Sequence, residues 1–424
     1  MGMDLGNIAT RWRSLQGSNN WEGLLDPLDL DLRKNILLYG DHAQATYDAF
    51  NDNRHSKYAG SSRYGKSRFF DRLGLKSTCG YDVSRFLYAT SKMDGPGAMV
   101  IKPLSREAWS SESNWMGYVA RTTDAGANLY GRRDITVAWR GTVQALEWAE
   151  DFNSGQVPIS SLLPEERTEL DERDVEKLVR RGAAKVQQGW YEIYTLADPK
   201  SPFNKRSARE QVLREVKRLV ELYKDDPHDL SITLTGHSLG AALATLCAFD
   251  IVINGLNRSK EGESSIPVTV IGFASPRVGN SEFKQSVEKL LPELKILRVT
   301  NSPDLVPLCP MVGYVDVGVE IRIDTRQSPF LKGFGDAVCW HNLEAYLHAA
   351  AGTQGKEDFK LVVDRDIALV NKWVDWLKDE YLVPPSWWIE KNKGMVPGAD
   401  GHWRMAQPLD HDIPHPEDDD DDLD

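Results

Sequence analysis

The sequence predicts an α/β fold with a mainly parallel sheet covered by helices, an N-terminal helical region and a C-terminal extension. Two observations carry this. Apolar, β-branched segments alternate with helical segments from Ala208 onward, the pattern of a sheet buried on both faces. In addition, Gly236-His237-Ser238-Leu239-Gly240 stands between a strand and an alanine-rich helical run, so that Ser238 tops the carboxyl end of that strand.

In chain order, ILLYGDHAQATYDAF (Ile36 to Phe50) has apolar residues at helical spacing, and a polar loop follows to Ser67. Asp134 to Trp139 (DITVAW) reads as a buried strand stopping at Arg140-Gly141-Thr142. Ala145 to Phe152 suits a short amphipathic helix. The charged stretch from Pro164 to Arg181, with Glu169/Arg173 and Glu176/Arg180 at i,i+4, suits an exposed one. Between Ala208 and Tyr223, Val212, Val216, Leu219 and Val220 mark a helix that Asp225-Asp226-Pro227 ends. Leu230 to Leu234, Val268 to Phe273 and Ile296 to Thr300 read as strands, and Ile367 to Leu377 as a last helix.

With 424 residues the chain can hold one large domain with extensions. The division read from the sequence is a single domain over 1–416, with the N-terminal helical region to about 95, the C-terminal extension from about 355, and an acidic, disordered tail over 417–424. The charge of −12 includes seven acidic residues in that tail, leaving the body at −5. That excludes electrostatic attraction to nucleic acid or to a strongly anionic membrane. No signal-peptide core, myristoylation pattern or membrane-span length of apolar residues occurs, and the expected location is cytoplasmic. Cys79, Cys247, Cys309 and Cys339 lack metal-ligand spacing and are expected to be reduced.

A serine hydroxyl is a poor nucleophile at neutral pH unless a histidine takes its proton and a carboxylate orients that histidine. A serine on a strained turn between strand and helix needs small neighbours, and Gly236, Gly240, Ala241 and Ala242 supply them. The Leu239 N–H, at the helix start, is the first expected oxyanion donor. Asp304 lies in a loop just past the strand Ile296 to Thr300, where the acid belongs in an order of serine, acid, histidine. His341, at the start of a probable helix, is chosen over His348, which stands mid-helix. A serine, histidine and aspartate with two backbone donors leave no step that calls for a metal or cofactor, and none is expected.

GHSLGAALATL, NSPDLVP and CWHNLEAYLH resemble the class 3 lipases of the α/β-hydrolase fold, and in particular the plant phospholipase A1 type II group. The resemblance spans nearly the whole chain. It implies a triad of Ser238, Asp304 and His341, with Thr142 in the Trp139-Arg140-Gly141-Thr142 turn as second oxyanion donor. It also implies a lid over Val143 to Phe152, whose Val143, Leu146 and Trp148 would face lipid. Val186-Gln187-Gln188-Gly189 lacks a histidine that related lipases commonly carry before the glycine. The activity implied is hydrolysis of the sn-1 ester of a phospholipid at a membrane or micelle interface, through an acyl-enzyme. The alternatives are a galactolipid, monoacylglycerol or triacylglycerol lipase, and a non-catalytic lipase-like signalling scaffold.

Overall fold

Seven strands lie side by side in chain order: β1 (Tyr81–Ala89), β2 (Asn114–Thr122), β3 (Arg133–Trp139), β4 (Leu230–His237), β5 (Val268–Phe273), β6 (Leu294–Asn301) and β7 (Val319–Ile323). The structure is a computed structural model. It describes residues 6–75, 80–91, 102, 104, 113–142, 155–163, 175, 179, 181–258, 265–355, 358–388 and 395–405. β1, β2 and β3 pair antiparallel, and every pairing from β3 to β7 is parallel. β3, β5 and β6 are buried along their whole length, as covered parallel strands must be.

Helices α1 (Ile8–Leu15) and α2 (Leu30–Asp48) cover one face, α3 (Ala208–Leu222) and α4 (Leu239–Ile253) the other; α5 (Ser281–Glu288) precedes β6, and α6 (Leu343–Ala351) joins the α2 face. The alternation of strand side chains divides the core accordingly. Ile232 and Leu234 pack under α4, whereas Ile271, Phe273, Leu297 and Val299 pack under α2 and α6. In α3 a capping box closes the N-terminus: Ser207 accepts from the Glu210 N–H and the Glu210 carboxylate accepts from the Ser207 N–H.

The segment that follows α6 is bolted to α2 and α6 by buried charges. Lys372 Nζ lies 2.6 Å from Asp48 and 3.3 Å from Glu344, and Arg365 lies 2.9 Å from Asp41 and 2.5 Å from Glu344. Lys372, Asp48 and Glu344 have fully buried side chains.

Several expectations shift. The stretch read as helical up to about residue 95 contains β1. β2 also escapes a sequence reading, because Gly117 interrupts it at φ 138°, where a Cβ would come within 2.0 Å of the Ala138 carbonyl oxygen. Ile367 to Leu377 is not an α-helix: a 3₁₀ turn ends at Lys372, and Asn371 Oδ1 then accepts from the N–H groups of Trp376 and Leu377. A side chain has captured the donors that a continuing helix would use. Cys247, Cys309 and Cys339 are free thiols. The helix expected over Ala145 to Phe152 and most of that over Pro164 to Arg181 lie outside the described residues.

Candidate active site

The parallel register brings the ends of β3 to β6 together, with Trp139 opposite Gly236, His237 opposite Phe273, and Phe273 opposite Val299. Ser238 follows β4 directly, at φ 58° and ψ −126°, a left-handed conformation that a residue with a side chain adopts only where its surroundings force it. The surroundings do so through two close approaches. A Cβ on Gly236 would lie 2.4 Å from Gly240, and one on Gly240 would lie 2.2 Å from the Trp139 carbonyl oxygen. Glycine at both places lets α4 pass against β3 and β4, and Leu239 becomes its first residue, with an N–H free of any intrahelical acceptor.

Asp304 lies three residues beyond β6. Its Oδ2 is 2.7 Å from His341 Nδ1 and accepts a 2.6 Å bond from the Tyr346 hydroxyl, while its Oδ1 accepts from the Val306 N–H at 3.0 Å. His341 stands between the short helical turn Ala337–Trp340 and α6, rather than inside α6. Asn301, at the end of β6, donates through Nδ2 to the Trp340 carbonyl, which ties this segment to the sheet. The structure therefore brings Asp304 and His341 into direct contact. It lays the His341 ring 4.6 Å from the ring of His237, the residue before Ser238. Among the described residues His341 Nε2 is buried without a hydrogen-bond partner, so no hydrogen bond joins it to Ser238. His348 is occupied elsewhere, at 2.7 Å from the Ser328 hydroxyl and stacked on Phe359.

At the end of β3 the turn holding Thr142 is pressed against the elbow. A Cβ on Gly141 would lie 2.0 Å from the Tyr47 hydroxyl and 2.6 Å from the His237 carbonyl oxygen. Thr142 is buried, and among the described residues its hydroxyl has no partner. The Tyr47 hydroxyl sits 2.9 Å from His237 Nδ1. Burial, reinforced by neighbouring His341, holds His237 well below the ordinary imidazole pKa and therefore neutral. Val143, Leu146 and Trp148, the expected lid residues, lie outside the described residues. Among the described residues, no group of three or more His, Cys, Asp or Glu is placed to hold a metal ion.

Residues 136–314 match the family model of lipase (class 3). Phospholipase A1-II 1 of Oryza sativa subsp. indica is 49% identical over 412 residues, covering 96% of this chain and 98% of its own. The chain belongs to the phospholipase A1-II group of the class 3 lipases. Phospholipase A1-IIgamma of Arabidopsis thaliana is 50% identical, covering 98% of this chain and 96% of its own, and phospholipase A1-II 7 of Oryza sativa subsp. indica is 50% identical over 95% and 97%. Among solved structures the chain is similar to the Lip2 lipase of Yarrowia lipolytica, at 19% identity over 70% of this chain and 80% of that one, with a TM-score of 0.43.

As a class 3 lipase with a mainly parallel sheet flanked by helices, the chain has the α/β-hydrolase fold. Three residues at the candidate site carry no functional signal in the sequence. Tyr346 carried no signal beyond its place in a helix, and Tyr47 is remote from every motif. Arg140 stands in its turn with nothing in the sequence to mark a role. Among the described residues, no helix is long and apolar enough to cross a membrane.

Proposed function

We propose that this chain is a phospholipase A1, cleaving the sn-1 ester of a phospholipid through an acyl-enzyme on Ser238. The observation that carries this reading is the Asp304–His341 contact beside a serine elbow, in a chain about half identical to phospholipases A1-II over nearly its whole length. In the proposed mechanism Ser238 attacks the ester carbonyl as His341 Nε2 takes its proton, and Asp304 fixes the Nδ1 tautomer and stabilises the imidazolium. The oxyanion is received by the N–H groups of Leu239 and Thr142. His341 then passes its proton to the lysophospholipid alkoxide, and water repeats the sequence to release the fatty acid.

The surroundings support a substrate presented at a lipid–water interface. Leu305, Leu308, Met311 and Val312 follow Asp304 on its loop, Phe334 and Val338 precede His341, and all six are exposed, Phe334 fully. No charged residue stands between Leu305 and Val315. A lid over Val143 to Phe152 belongs to the same reading.

Phosphatidylcholine with distinguishable chains at its two positions tests the proposal. Ser238→Ala and His341→Ala are each expected to lower turnover by several orders of magnitude with the fold kept. The sn-1 chain is expected to be released with or without excess chelator. Predominant sn-2 release would remove the A1 assignment, and loss of activity on chelation would remove the metal-free mechanism.

A further inference from the structure

Arg140 takes no part in the proton relay, yet the turn carrying Thr142 hangs on it. Its guanidinium donates from Nε to the Trp115 carbonyl at 3.0 Å, from Nη1 to the Gly141 carbonyl at 2.9 Å, and from Nη2 to Met116 Sδ at 3.1 Å. It lies 3.7 Å from the centroid of the Phe50 ring and is 1% exposed. Among the described residues no carboxylate forms an ion pair with it. Burial pulls its pKa down to about 10, which leaves it charged at neutral pH. A buried guanidinium without a counter-ion costs stability, and a turn at a strand end does not need one.

The bond to Gly141 has a geometric consequence. In a trans peptide the C=O and the following N–H point in opposite directions. A Gly141 carbonyl held on the guanidinium therefore turns the Thr142 N–H away from Arg140. A flip of that peptide would exchange an oxyanion donor for a carbonyl oxygen, which repels the charge it should receive. The Tyr47 hydroxyl and the His237 carbonyl leave Gly141 no space for a Cβ, so the peptide is confined on that flank too.

We propose that Arg140 is a positioning residue for acyl transfer, fixing the Gly141–Thr142 peptide in the orientation that offers the Thr142 N–H to the oxyanion. The proposal rests on the reading of Ser238 as nucleophile with Thr142 and Leu239 as donors. Arg140 acts in the transition state without touching the substrate. Lysine keeps the charge but lacks the fork that reaches Trp115, Gly141 and Met116 together.

The test compares Arg140→Lys and Arg140→Gln with the unsubstituted chain on a soluble short-chain ester, which needs no interface. Active sites are counted by end-point labelling with a fluorophosphonate, so that misfolded molecules drop out of the comparison. Both variants are expected to lose on the order of 10²-fold in kcat per labelled site, the cost of one oxyanion donor, with KM nearly unchanged. A smaller labelled fraction with unchanged kcat per site would show a purely structural role and overturn the proposal. So would full kcat in Arg140→Lys, since charge alone would then suffice. If neither variant folds, Phe50→Leu loosens the guanidinium while leaving it in place: a several-fold lower kcat per site is expected, and an unchanged value overturns the proposal. Failure of the underlying reading looks different, because Ser238→Ala would then keep its turnover and the unsubstituted chain would not label.

Discussion

The Tyr346 hydroxyl donates a 2.6 Å hydrogen bond to Asp304 Oδ2, the same oxygen that meets His341 Nδ1. It also accepts from the Asn301 N–H at 3.1 Å. Burial, with the Asp304 charge beside it, raises the Tyr346 pKa well above the phenol range, so the group stays a donor throughout the working pH range. Tyr346→Phe leaves a buried N–H without its acceptor and frees one side of the carboxylate. The expected outcome is a loss of about 1–3 kcal/mol in urea unfolding. Turnover should fall by about tenfold or less, against roughly 10⁴-fold for Asp304→Asn.

Aspartates in place of Met311, Val312 and Phe334 should weaken binding to zwitterionic phosphatidylcholine vesicles and lower activity on them by about tenfold or more. Hydrolysis of a soluble short-chain ester should stay near its starting rate, because these side chains are exposed beside the site and not inside it. Vesicle sedimentation and the two assays check this. Equal losses on both substrates would mean that the residues support the site itself.

Stability should fall on acidification below pH 6.5. Burial lowers the pKa of His42 and of His348 to about 4, and that of His237 well below the ordinary value. Between 6.5 and about 4 the unfolded chain takes up protons that these folded histidines refuse, so folding stability is complete above that window and declines as pH drops through it. Each histidine contributes a limiting slope of about 1.4 kcal/mol per pH unit. Urea midpoints from pH 7.5 to 4.5 report the total, and His348→Gln should flatten the curve by about one proton.

Gly240→Ala places a methyl group 2.2 Å from the Trp139 carbonyl oxygen, and backbone on both sides has no room to yield. The expected result is loss of fluorophosphonate labelling, through displacement of α4 from β3 or failure to fold. A fully labelled, soluble Gly240→Ala protein would show that the close approach is not required.

The parts of this molecule that were legible in sequence are those whose physics is local. The run Thr233 to Ala244 declares strand, elbow and helix within twelve residues, because two glycines and three alanines answer a steric demand that no other arrangement makes. Val268 to Phe273 is legible because a strand covered on both faces is mostly apolar and β-branched, here with only Thr269 and Gly272 departing. Asp304 and His341 could be ordered along the chain, but their contact depends on how Asn301 holds the Trp340 carbonyl, a tertiary fact. β1 and β2 are hidden in the sequence because one is half-exposed and mixed in character and the other carries Gly117 in mid-strand. The last helix misled because its spacing was right while Asn371 diverted its backbone.

The ion pairs of Arg365 and Lys372 also bear on the order of events during synthesis. Asp41, Asp48 and Glu344 leave the ribosome before the cations that neutralise them, and His341 lies only three residues ahead of Glu344. Until Lys372 has emerged, burying those carboxylates against α2 and α6 is opposed by their unpaired charge, and stripping one partner from such a pair costs about 3–5 kcal/mol. A nascent chain therefore carries its serine elbow long before it can seat the segment that bears His341. The elbow and its histidine are thus assembled at different moments, the second waiting on cations made after it.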